Sequence, residues 1–76
     1  MHKLIYINPV LRGFFYRMKD YIQVAFETAS VEVKEILVAL LAEAGYEGFE
    51  EERGSLKAFI PGESFDEPAL KAITHY

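Results

Sequence analysis

The sequence predicts an α+β domain of two layers. Three observations predict it: hydrophobic spacing alternates between period two and period 3.6, glycine and proline punctuate each change of period, and the apolar content is that of a folded chain. Of 76 residues, 51% are hydrophobic and 14% aromatic, too many for a disordered tail. No apolar run approaches the roughly 20 residues that cross a bilayer as a helix, so no membrane association is expected. A chain this short hides only about 60% of the surface its unfolded form exposes, which leaves room for one small core.

Ile22, Val24 and Phe26 alternate with Tyr21, Gln23 and Ala25, the pattern of a strand with one buried face. Ser30 follows as a helix cap, with Glu32 in the first turn. Val33, Ile36, Leu37, Leu40, Leu41 and Ala44 then repeat at helical spacing, and Gly45 stands where a left-handed stop belongs. Tyr46 to Glu52 and Leu56 to Ile60 flank Arg53-Gly54-Ser55 and predict an antiparallel hairpin, ended by Pro61-Gly62. Asp66 caps a last helix, with Phe65 and Leu70 as a hydrophobic staple and Pro68 in the tolerated first turn. Ala69, Leu70 and Ile73 of that helix are expected to face the sheet.

The order strand, helix, strand, strand, helix is a split β-α-β unit, the scaffold of a two-layer ferredoxin-like sandwich. Such a unit ordinarily finishes with a fourth strand, and the chain stops at Tyr76 before one, so the final strand is expected to be missing. The first strand then becomes an apolar edge. Either Leu4 to Ile7 folds back as a substitute strand, or two copies pair there as a dimer.

Charge divides the chain unevenly. Residues 1–19 carry Lys3, Arg12, Arg17 and Lys19 and no acid, a charge of +4, whereas residues 20–76 carry twelve acids against Lys34, Arg53, Lys57 and Lys71, a charge of −8. This shift predicts a boundary near Met18, with residues 1–17 a basic leader outside the fold and residues 18–76 the domain. Asn8, Pro9, Arg12 and Arg17 interrupt the leader's apolar stretch and no small-residue cleavage site follows, so a secretory signal is not expected, and Met18 is the expected natural start. The absence of cysteine excludes a disulfide framework, a thiolate zinc site and a cysteine nucleophile, and fits a cytoplasmic protein.

No catalytic constellation emerges. His2 and His75 have no neighbouring partner that would make either a base. Ser30 reads as a cap, Ser55 as a turn residue and Ser64 as a loop residue, none in a nucleophile-elbow pattern. Glu50, Glu51 and Glu52 are consecutive strand residues on alternating faces, which makes them a solvated hairpin rim rather than a metal site. Gly45, Gly48, Gly54 and Gly62 occupy stop, strand and turn positions, so no phosphate or S-adenosylmethionine loop is formed and no cofactor is expected in this chain. The same architecture serves RNA recognition motifs, with Tyr21 and Phe59 on the uncovered sheet face. A body of −8 repels phosphate, however, and Leu56 to Ile60 lacks the basic aromatic signature, so direct nucleic-acid binding is not expected of it. An acidic rim suits a basic partner instead.

Tyr21-Ile22-Gln23-Val24, Leu40-Leu41-Ala42-Glu43-Ala44-Gly45-Tyr46-Glu47-Gly48-Phe49-Glu50-Glu51, Leu56-Lys57-Ala58-Phe59-Ile60-Pro61 and Phe65-Asp66-Glu67-Pro68-Ala69-Leu70 together resemble the opening segment of the ribosomal protein L-eleven methyltransferases. The likeness spans residues 18 to about 74. In the segment that carries it best, Gly45 stops the helix, Gly48 permits close approach and Phe49 anchors the sheet. The resemblance implies a substrate-recognition domain of a bacterial, S-adenosylmethionine-dependent protein lysine methyltransferase. Its partner would be ribosomal protein L-eleven, and methylation of amino groups would fall to a separate cofactor-binding domain, so this chain should bind without catalysing. The candidates for substrate contact are Glu50, Glu51 and Glu52 of the acidic hairpin and an exposed Tyr21. The same scaffold also serves small-ligand regulatory modules of the amino-acid-binding kind and plain protein-interaction domains, and fold alone does not separate these from a methyltransferase domain.

Overall fold

A computed structural model describes residues 3–14 and 17–74. It is an α+β domain with one antiparallel sheet and two helices. The strands are β1 (Lys3–Phe14), β2 (Arg17–Glu27), β3 (Gly48–Glu52) and β4 (Ser55–Pro61); the helices are α1 (Val31–Glu43) and α2 (Glu67–Thr74), and a 3-10 turn at Gly62–Ser64 precedes α2. The sheet order is β1-β2-β4-β3, every neighbouring pair antiparallel.

Register sorts the strand residues into two faces. Ile22, Val24 and Phe26 stand opposite Ile60, Ala58 and Leu56, and opposed residues share a face. On this face Leu37 and Leu41 of α1 and Leu70 and Ile73 of α2 join Val24, Phe26, Leu56, Ala58 and Ile60 in one core, with Phe49 and Phe65 packed at its margin. Truncating a buried leucine such as Leu41 to alanine removes about 2–5 kcal/mol, a large part of what a domain of this size has to lose.

The ends of α1 follow from local chemistry. Ser30 is extended and its hydroxyl accepts the Val33 N–H at 3.2 Å. Thr28 fixes the approach: its Oγ1 accepts the Ser30 N–H at 3.2 Å while its own N–H donates to the Gly54 carbonyl at 3.0 Å, which ties the exit of β2 to the β3–β4 turn. At the other end Gly45 takes a φ of +106°. The Gly45 N–H then reaches the Ala42 carbonyl at 3.1 Å and the Tyr46 N–H reaches Leu41 at 3.0 Å, the two bonds of a Schellman stop. Tyr46 is therefore occupied in closing the helix, and β3 begins at Gly48 rather than at Tyr46 as the alternation had suggested.

The buried stripe of α1 also runs differently from its expected line. Lys34, Leu37 and Leu41 are buried, whereas Ile36 is 38% exposed. Lys34 can lie there because its stem is apolar and its ammonium donates to the Glu52 carbonyl at the hairpin end.

The free side of β2 is occupied by β1, paired from Lys3↔Glu27 to Phe14↔Arg17 with one irregularity between Leu4 and Tyr6. Residues 3–14 of the basic segment expected outside the fold thus supply an edge strand, and Leu4 to Ile7 folds back onto the strand whose edge was in question. Pro9 lies within this edge strand, where a missing N–H is tolerated. Pairing of β2 with β4 stops at Tyr21↔Pro61, so Leu11–Phe14 and Arg17–Asp20 continue as a two-stranded ribbon beyond the four-stranded part. The hairpin sets the long dimension: an 11-residue strand at roughly 3.3 Å per residue matches the 37 Å principal extent.

Candidate binding surface

The second sheet face carries Tyr21, Gln23, Ala25 and Glu27 of β2, opposite Pro61, Phe59, Lys57 and Ser55 of β4. Gly48, Glu50 and Glu52 of β3 stand opposite Phe59, Lys57 and Ser55 and join that face, whereas Glu51 stands opposite Leu56 on the helix side. The three carboxylates do not converge on one point. All three are exposed, and they line the outer strand of the sheet as a rim.

Glu52 is held at both carboxylate oxygens. Its Oε1 accepts the Ser55 hydroxyl at 3.2 Å and its Oε2 lies 3.7 Å from the Lys57 ammonium, both side chains of that ion pair being substantially exposed. A pair of this kind contributes little to stability. What it does is orient the carboxylate, while the Lys34 ammonium on the Glu52 carbonyl holds the strand end against α1. Arg53 and Gly54 form a two-residue connection closed by Glu52↔Ser55, with Gly54 at a φ of +92°.

Tyr21 does not belong to this surface as an exposed group. It is 3% accessible, and its hydroxyl donates to Glu47 Oε1 at 2.9 Å. The expectation failed because alternation assigns Tyr21 to the face away from the helices without saying whether that face is covered. Ala25 and Phe59 on the same face are buried as well, and β1 runs alongside, with Val10 opposite Tyr21. Gly48 does not hold Phe59 at a distance only glycine allows, since a Cβ there would meet Phe59 Cδ1 at 3.6 Å, an ordinary contact.

The residues that organise the surface without having been singled out are Glu47, which anchors Tyr21, and Lys34, which anchors Glu52. A lysine one position after the apolar Val33 of α1 was the available signal for the second, because a long stem there can reach past the core to the sheet end.

Tyr46 is buried at 5% exposure, with no hydrogen-bond partner for its hydroxyl among the described residues. Burial, and then the nearby Asp66 carboxylate, push its pKa from 10.0 up to about 12. It stays a neutral phenol at ordinary pH and offers no base.

His2 and His75 lie outside the described residues. Among the described residues no cluster of three or more histidines or carboxylates could hold a metal ion, and no helix is long and apolar enough to cross a membrane. Comparison with protein-family models, with curated proteins and with solved structures finds no match to this chain.

Proposed function

We propose that this chain is a substrate-recognition domain for a basic protein, ribosomal protein L-eleven, serving an S-adenosylmethionine-dependent protein methyltransferase whose chemistry belongs to a separate domain. The arrangement we propose is ferredoxin-like, a reading supported by the order β2-α1-β3-β4-α2 and by the central places of β2 and β4. The observation that carries the function is the acidic outer strand: Glu50, Glu51 and Glu52 are exposed on β3, an edge strand whose end is held by Lys34. An edge strand keeps unpaired backbone donors and acceptors, and carboxylates along it favour an extended segment rich in lysine. Their long-range attraction speeds encounter more than it tightens the final complex. The residue likeness to the L-eleven methyltransferases across residues 18 to about 74 is what selects this basic protein over others.

The test is a titration of the full chain with ribosomal protein L-eleven at low and at raised salt, using Glu50→Gln/Glu51→Gln/Glu52→Gln as the comparison. Binding that weakens with salt, and weakens about tenfold or more in the triple variant, is expected, since each lost rim charge removes a few tenths to 1 kcal/mol. A folded chain that does not bind at low ionic strength overturns the reading.

A further inference from the structure

The hairpin register brings together residues that the sequence keeps apart. Arg12 stands opposite Lys19 and Phe14 opposite Arg17. Opposed residues share a face, as do residues two apart on one strand, so Arg12, Phe14, Arg17 and Lys19 occupy a single face of the ribbon. Leu11, Gly13, Met18 and Asp20 occupy the other. All four residues of the first set lie beyond the last pair that β2 makes with β4, Tyr21↔Pro61.

The ribbon differs from the body in charge, and beyond Asp20, which lies beside Gly62 of the 3-10 turn, it extends past the four-stranded sheet. Residues 11–20 hold three cations and one acid, a charge of +2, whereas residues 21–76 hold eleven acids and four cations, a charge of −7. Four residue pairs at roughly 3.3 Å each carry the ribbon about 13 Å past the four-stranded sheet. At physiological salt, with a Debye length of about 8 Å, the outermost pair Phe14↔Arg17 lies beyond that length and Arg12↔Lys19, about 7 Å out, close to it, so the body's negative field weakens along the ribbon. The repulsion of phosphate expected of the chain as a whole is therefore reduced along the ribbon and least at Arg17.

We infer that the ribbon formed by Leu11–Phe14 and Arg17–Asp20 is a binding arm for single-stranded nucleic acid, with Arg12, Arg17 and Lys19 placed for phosphates and Phe14 for a base. Cations flanking an aromatic residue on one strand face are the combination such ligands need, because the backbone requires charge along its track and an unstacked base requires a flat apolar partner. An anionic membrane surface is the less fitting occupant: the register places Phe14 on the same face as Arg12, Arg17 and Lys19, and Asp20 on the opposite face. The inference is independent of the protein partner proposed above, which addresses the other edge of the sheet.

The experiment is fluorescence anisotropy of a labelled oligouridylate of about 12 nucleotides with the full chain over a range of salt. Three phosphate contacts predict a slope of log K against log salt of about −2, reduced by about 0.7 in each of Arg12→Gln, Arg17→Gln and Lys19→Gln. Arg12→Lys/Arg17→Lys keeps the slope, because charge count sets it, and Lys71→Gln on α2 leaves it unchanged. Phe14→Leu weakens binding about fivefold or more with the slope retained. Far-UV circular dichroism checks that each variant is folded. No binding at low salt, binding whose slope ignores the three ribbon substitutions, or binding to phosphatidylserine vesicles in place of the oligonucleotide each overturns the inference.

Discussion

The Tyr21 hydroxyl donates to Glu47 Oε1 at 2.9 Å, joining residues 26 apart in sequence and bridging from β2, across β4, to the residue that precedes β3. Glu47 is itself fixed by its N–H on the Phe59 carbonyl at 2.8 Å. Tyr21 is buried and Glu47 exposed, so the bond ends at the boundary with water, where a hydrogen bond to a charged acceptor contributes about 1–2 kcal/mol. Tyr21→Phe should lower the melting temperature by several degrees, on the scale of 4–8 °C per kcal/mol for a domain of this size. Glu47→Ala should cost a similar amount, and the double variant should cost no more than either alone. Thermal unfolding of the four proteins checks this; strictly additive losses would show that the two side chains are not coupled.

Lys34 makes a contrasting case, because its charge and its stem do separate things. The stem is buried in the stripe that continues through Leu37 and Leu41, and the ammonium meets the Glu52 carbonyl at an exposed strand end. Lys34→Met keeps the packing and leaves that carbonyl within reach of water, so it should stay within about 1 kcal/mol of the parent. Lys34→Ala loses the packing too and should cost about 2 kcal/mol. Denaturant titrations decide between the two contributions: equal losses in both variants would mean that the ammonium, not the stem, is what the fold uses.

Most of this architecture is legible from spacing, and the exceptions have physical reasons. Ser30 and Gly45 mark α1 correctly because capping and left-handed geometry are local demands met by single residues. Ile36 is exposed and Tyr46 closes a helix because periodicity gives the centre of an apolar stripe but not its width or what lies past its end. β1 is hard to see since Asn8, Pro9 and Gly13 weaken its alternation, and its pairing partner β2 begins only beyond it in the chain. Glu50, Glu51 and Glu52 were legible as a rim because three adjacent carboxylates cannot be buried without partners. Tyr21 was not legible, since covering its face depends on contacts distant in sequence.

The glycines separate backbone need from steric need. Gly45 sits at φ +106°, where an L side chain is strained, and a Cβ would meet Ile60 Cδ1 at an unremarkable 3.5 Å. Gly45→Ala should therefore cost about 1–2 kcal/mol through conformation alone. Gly48 has no such φ and has room for a methyl group beside Phe59. Gly48→Ala should be neutral or stabilise by up to about 1 kcal/mol, because alanine restricts the unfolded chain. Chemical denaturation of both variants measures the contrast, and a Gly48→Ala loss as large as that of Gly45→Ala would contradict it.

Tyr46 gives the fold a pH dependence of definite sign. Its pKa rises from 10.0 to about 12 on folding, through burial first and the Asp66 carboxylate second. Below pH 10 both folded and unfolded chains hold the phenolic proton, so the residue contributes no slope. Between pH 10 and pH 12 the unfolded chain releases it while the folded chain keeps it, and stability falls with rising pH by about 1.4 kcal/mol per unit, up to about 2–3 kcal/mol in all. Tyr46→Phe removes both this titration and a buried hydroxyl that has no partner among the described residues. At neutral pH the variant should therefore be as stable as the parent or more stable by about 1 kcal/mol. Above pH 10 its advantage should widen. Other tyrosines and lysines titrate in the same range in both proteins, so the quantity to follow is the difference in unfolding free energy between parent and variant at pH 7, 9 and 11. A difference that stays flat across that series would show that Tyr46 ionises as easily in the folded chain as in the unfolded one.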